Sequence, residues 1–155
     1  MTRRLGQVLA LAGVIAGLAS CGGSSSGGGG VGGGAPGFFI TIQGSAYSPA
    51  MLAVPPGATV TVLNRDAMPH SVTSESTTGA FTPGAVNGVQ FDSGAHTGTF
   101  TFQVLPANAP DGTVIPYYCT VHKGAMATPD ASIKIDSTAQ PTSPPGGSGG
   151  GGGGY

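Results

Sequence analysis

The stretch "YYCTVHKGAM" at 117–126 gathers a thiol, an imidazole and a thioether: Cys119, then His122 three residues on, then Met126 four further. Soft sulfur and imidazole nitrogen are metal donors. A cysteine near a histidine is also the pairing of a nucleophile with its base. The chain has three histidines, and the other two lie upstream. His70 sits in "NRDAMPHSVTS" directly after Pro69, which fixes the local backbone and disfavours helix at Met68. That predicts His70 at the start of a strand, at the end of the fold where several loops meet. His96 sits in "FDSGAHTGTF", where Asp92, Ser93 and Gly94 make a turn, and is expected to be an exposed loop histidine.

The side chains that could converge are therefore His70, Cys119, His122 and Met126. Two imidazoles and a thiolate in a trigonal arrangement, with a weak axial thioether, form the ligand set of electron-transfer copper sites. A structural zinc site more often uses several cysteines, or two cysteines and two histidines, and a thioether suits zinc poorly. A cysteine at a buried strand end beside a methionine is badly placed to attack a peptide. Each residue also has a bland reading. A lone cysteine can be an inert buried thiol, a lone methionine a gap-filler, and a lone histidine a satisfied core residue. The four together, in this order, favour the metal.

Positioning these side chains falls to a β-rich core. "FFITIQ" (38–43) is apolar and β-prone, and "MLAV" (51–54) runs into the turn "PPG" (55–57). "ATVTVLN" (58–64) alternates, with Val60 and Val62 on one face, and "TGTFTFQV" (97–104) alternates with Phe100 and Phe102 on one face. "HSVTS" (70–74), "TVIPYYC" (113–119) and "ASIKID" (131–136) complete the set. About six to eight short strands separated by Gly, Pro, Asn and Asp turns predict an antiparallel all-β sandwich or barrel. Residues 74–90 lack periodicity and predict an irregular excursion.

Three segments, "NRDAMPHSVTS", "FDSG" and "YYCTVHKGAM", occur in an order that resembles the cupredoxins of the plastocyanin and pseudoazurin type. The resemblance spans about 38–136 and implies a Greek-key β-sandwich holding one copper ion that cycles between Cu(I) and Cu(II). It implies His70, Cys119 and His122 in the plane of the metal, Met126 as the axial ligand, and Ser71 bracing the ligand loop from behind. It also implies an electron carrier rather than an enzyme, with electrons passing through the edge of His122 to weakly docked redox proteins. A dinuclear copper centre needs two cysteines on the loop, and this loop has one. Copper storage or delivery on the same fold, and a non-redox structural sandwich, are the alternatives. Delivery proteins favour methionine-rich open sites, whereas this chain has four methionines including the initiator.

The ends of the chain read differently. "MTRRLGQVLALAGVIAGLASC" has a basic start, a short apolar run and small residues before Cys21. "LASC" resembles a bacterial lipobox, which implies cleavage before Cys21 and lipidation of that cysteine. Cys119 is then left without a disulfide partner, in a compartment where a free thiol is a liability unless buried or metal-bound. Most of the 30 glycines fall in two tracts, 22–34 and 141–155, too poor in apolar side chains to offset the entropy of ordering them. The expected organisation is a signal peptide at 1–20, a Gly/Ser tether at 21–35, one domain at 36–138 and a flexible tail at 139–155. Beyond Arg3 and Arg4, three basic residues face six acidic ones, a net of −3, so nucleic-acid binding has no electrostatic footprint. A monomer anchored by lipid to a bacterial membrane, facing the periplasm or the cell exterior, is expected.

Overall fold

The computed structural model describes residues 34–146. The leader, Cys21 and nearly all of the tether lie outside the described residues, as does the end of the tail. Eight strands are formed among the described residues: β1 (Phe38–Gln43), β2 (Ala46–Ser48), β3 (Met51–Val54), β4 (Thr59–Asn64), β5 (Thr73–Ser74), β6 (Thr99–Gln103), β7 (Val114–Tyr118) and β8 (Ser132–Ile135). They make two four-stranded sheets, ordered β2-β1-β4-β6 and β3-β8-β7-β5. No helix among the described residues is long and apolar enough to cross a membrane.

Alternation drives the packing. Ile40 and Ile42 of β1, Val60 and Val62 of β4 and Phe102 of β6 point into the gap between sheets. Val54, Ile115, Tyr117, Ile133 and Ile135 meet them from the second sheet. Each fully buried aliphatic side chain contributes about 1.5–3 kcal/mol. The all-β expectation holds, but the antiparallel one is corrected. β1 runs parallel to β4, and β3 parallel to β8. The chain leaves β1 through β2, crosses to the other sheet as β3, and returns as β4 beside β1. A crossover of that kind yields parallel neighbours, and side-chain alternation does not encode strand direction.

Strand β2 escaped the sequence reading because its turn, Gly44-Ser45, lacks the Asn-Gly or Asp-Gly signature. Both turn residues have positive φ, 60° and 56°, as a tight hairpin requires. The Asp66 carboxylate holds them, accepting the N–H of Gly44 at 2.7 Å and of Ser45 at 2.8 Å. Those two bonds, ahead of the nearby His70, keep the Asp66 carboxyl below its ordinary range. A depressed folded-state value stabilises the fold above the unfolded Asp value of about 3.9, and that contribution disappears as pH falls through the folded value. Acid unfolding of the metal-free protein, monitored by circular dichroism, is therefore expected to be steeper below about pH 4 in the wild type than in Asp66→Asn.

"HSVTS" forms a ladder only at Thr73–Ser74, paired with Tyr117 and Tyr118 of β7. Upstream, the N–H of Ser71 points to Cys119 Sγ at 3.5 Å, and that of Val72 donates to Ser93 Oγ at 2.8 Å. Groups that would pair a strand are diverted to side chains. Past the last strand, Gly37 and Thr142 exchange two 2.8 Å backbone bonds.

Candidate metal centre

Cys119 follows β7 directly and is 1% exposed. It opens a loop whose far end is pinned to the β1–β2 turn and to β2. The Ala127 N–H donates to Ser45 O at 2.8 Å, and Thr128 Oγ1 accepts the Tyr47 N–H at 3.0 Å. Within the loop, the Ala125 N–H donates to His122 O at 2.9 Å, and Gly124 takes the left-handed φ of 69° that the turn requires. His122 is half-buried and Met126 is buried.

His70 arrives from the other side of the fold, fully buried. Its backbone exchanges two 3.0 Å bonds with His96, so the exposed histidine clamps the buried one through main chain alone. The His96 ring instead sits 2.8 Å from Ser93 O and stacks on Phe100. Asn64, 7% exposed at the end of β4, donates to Met68 O and to His96 O, each at 2.9 Å. The "FDSG" turn also supports this segment, since Asp92 Oδ1 accepts Thr73 Oγ1–H at 2.9 Å and the Gly94 N–H at 3.0 Å.

The donor atoms of His70, Cys119 and His122 lie within 4.8 Å of one another. His70 Nδ1 is 3.8 Å and His122 Nδ1 3.6 Å from Cys119 Sγ. An ion about 2.0–2.1 Å from nitrogen and about 2.3 Å from sulfur, at angles of about 110–120°, sets those separations to about 3.6–3.8 Å. The gap fits one metal ion, and a thiolate with two imidazoles is a donor set that suits copper. Burial, then the neighbouring His122, lowers the pKa of His70, with Asp66 acting in the opposite sense. His70 is thus held in the neutral form that binds metal. Asp66 Oδ2 is 3.2 Å from His70 Nε2, a charge contact that falls short of a full hydrogen bond among the described residues. The carboxylate nonetheless favours the tautomer with its proton on Nε2, leaving the Nδ1 lone pair facing the sulfur.

Ser71 ties the two ligand segments together. Its Oγ accepts the Thr120 N–H at 2.8 Å and lies 3.0 Å from Thr120 Oγ1. The Tyr47 hydroxyl donates to Ser71 O at 2.5 Å, and its ring meets Tyr117 edge-on at 4.9 Å. Met126 lines the small cavity, about 10 Å³, that Cys119 and His122 also line. Asn64, Asp66, Tyr47 and Thr120 were not read from sequence. Only Asp66, four residues before His70, stood where spacing could have drawn notice.

Tyr117 carries a buried hydroxyl with no partner among the described residues, and burial pushes its pKa upward. Removing an unpaired buried hydroxyl without changing shape relieves a desolvation cost. Tyr117→Phe is expected to stabilise the metal-free protein by about 1 kcal/mol, read as a higher urea midpoint with unchanged slope.

No protein-family model matches the chain, and no curated protein matches it. Among solved structures it is similar to an amicyanin variant in its reduced Cu(I) form, at 19% identity over 64% of this chain and 82% of that one, with a TM-score of 0.44. An oxidised amicyanin variant is 20% identical over 65% and 83% of the two chains, with a TM-score of 0.45. A purple cupredoxin from Nitrosopumilus maritimus is 27% identical over 64% and 99%, with a TM-score of 0.42.

Proposed function

We propose that the chain is a mononuclear copper protein of the cupredoxin type that carries single electrons between redox proteins outside the cytoplasmic membrane. The observation that carries this reading is the convergence of two Nδ1 atoms on one buried Sγ at 3.6 and 3.8 Å. A bound copper supplies a one-electron couple between Cu(I) and Cu(II). The chain does the rest. His70, with Ser71 and Cys119, seals the inner side from water. Ser71, Thr120 and Asn64 hold the donor-bearing segments by bonds that need no metal. A cage set in advance rearranges little between oxidation states. Met126, on the wall of the same cavity, would hold the ion as a fourth, weak donor.

The half-buried His122 is the ring through which electrons would enter and leave. Val121 beside it and Met68 two residues before His70 are exposed apolar side chains, suited to brief and weak docking. Lipidation at Cys21 and tethering to a bacterial membrane, facing the periplasm or the exterior, complete the proposal. A free thiol at Cys119 in such a compartment is consistent with its burial.

Electron transfer and copper delivery separate on one test. The copper-loaded protein is cycled through several rounds of reduction and reoxidation beside a Cu(I) chelator. A carrier retains its copper and recovers its full visible absorption each round. Transfer of the ion to the chelator on first reduction would instead favour delivery.

A further inference from the structure

The excursion at 75–84 is built at some cost. The Glu75 side chain, 1% exposed, accepts the N–H of Gly79 at 2.9 Å and of Phe81 at 2.7 Å. Its own N–H donates to Pro116 O at 3.0 Å, rooting the loop on β7. Ser74 closes the loop, with its carbonyl accepting the Gly84 N–H at 2.9 Å and its hydroxyl donating to Gly84 O at 2.7 Å. Space there is so tight that a Cβ on Gly84 would lie 2.7 Å from Ser76 N. Phe81 takes a φ of 50°, a region that bulky residues avoid unless the surroundings enforce it. A plain surface loop needs neither a buried carboxylate nor a strained phenylalanine.

What this construction delivers is the Phe81 ring. The ring meets Tyr118 edge-on at 6.1 Å. It also covers Gly124 so closely that a Cβ there would sit 3.3 Å from Phe81 Cζ. Phe81 lines the same small cavity as Cys119, His122 and Met126. Gly124 is the turn residue between two of those donors.

We propose that Phe81 is a positioning residue: the Glu75-braced excursion presses its ring onto Gly124 and holds the 122–126 turn in the shape that brings His122 to Cys119. The inference rests on reading that turn as a ligand loop, but the brace acts without metal and is tested without it. Hydrogen exchange is measured by mass spectrometry on the metal-free protein as wild type, Phe81→Ala and Phe81→Leu. Amides in 120–127 are expected to exchange about tenfold faster in Phe81→Ala, with β1 and β4 unchanged and Phe81→Leu in between. With one equivalent of Cu(II), Phe81→Ala is expected to bind but to show a shifted spectrum relative to wild type, which Phe81→Leu partly restores. Unchanged exchange in 120–127, or acceleration spread evenly over the domain, overturns the proposal. Failure of the wild type to form a thiolate–copper site would overturn the copper reading alone and leave the exchange result to decide the brace.

Discussion

Cys119→Ser is expected to abolish the intense visible absorption of the copper-loaded protein while leaving the fold intact. The band comes from charge transfer between a thiolate and the metal, and the described residues contain one cysteine. Serine is close in shape, and its hydroxyl can accept the Ser71 N–H that now points to Sγ at 3.5 Å. Near-ultraviolet circular dichroism should therefore stay close to that of the wild type. Copper affinity should fall further than loss of an outer partner would cause, more than about 100-fold. Serine oxygen is a hard, weakly acidic donor, and it is the soft thiolate that selects copper. Competition titration against a Cu(I) chelator measures this directly. A variant that kept the wild-type band would place the chromophore elsewhere.

Ser71→Ala tests the join between the two ligand segments. Ser71 is fully buried, and its Oγ accepts the Thr120 N–H at 2.8 Å, next to Cys119. Alanine leaves that donor without a partner, a cost of about 1–3 kcal/mol. It also removes the side-chain join between the Cys119–His122 loop and the segment that carries His70, leaving the Ser71 N–H contact to Sγ. Copper affinity is expected to fall about 10- to 100-fold, the range typical for removing a group that orients a ligand. Urea unfolding of the metal-free protein separates the two effects. A loss of stability with unchanged copper affinity would make Ser71 a core residue and nothing more.

Much of this was legible in the sequence. Period-two alternation in "ATVTVLN" and "TGTFTFQV" marked β4 and β6 and their buried faces, because alternate side chains on a pleated strand must choose core or solvent. Strand direction was not legible, since a crossover leaves no mark on alternation, and the parallel β1–β4 and β3–β8 pairs had to be seen. "HSVTS" looked like a strand because its residues are β-prone, but the N–H groups of Ser71 and Val72 are spent on Cys119 and Ser93. The donors His70, Cys119 and His122 stood out as rare, soft residues in a chain poor in reactive side chains. Their supports did not. Asn64, Asp66 and Tyr47 act over separations of 21 to 32 residues, and Glu75, buried itself, braces a turn whose own residues are exposed. No local pattern distinguishes a braced polar residue from an exposed one. The excursion at 74–90 read as irregular because its order comes from the Glu75 carboxylate and the Ser74–Gly84 bonds rather than from a repeat.

The most direct test of the copper site is the visible and electron paramagnetic resonance spectrum of the protein, purified without metal and given one equivalent of Cu(II). Three converging donors, with sulfur among them, predict an intense visible band and a narrow copper hyperfine splitting that saturate together at one ion per chain. A pale solution with the wide splitting of an ordinary cupric complex, or no stoichiometric binding, would contradict the account, because Sγ and the two Nδ1 atoms would then not be holding the metal.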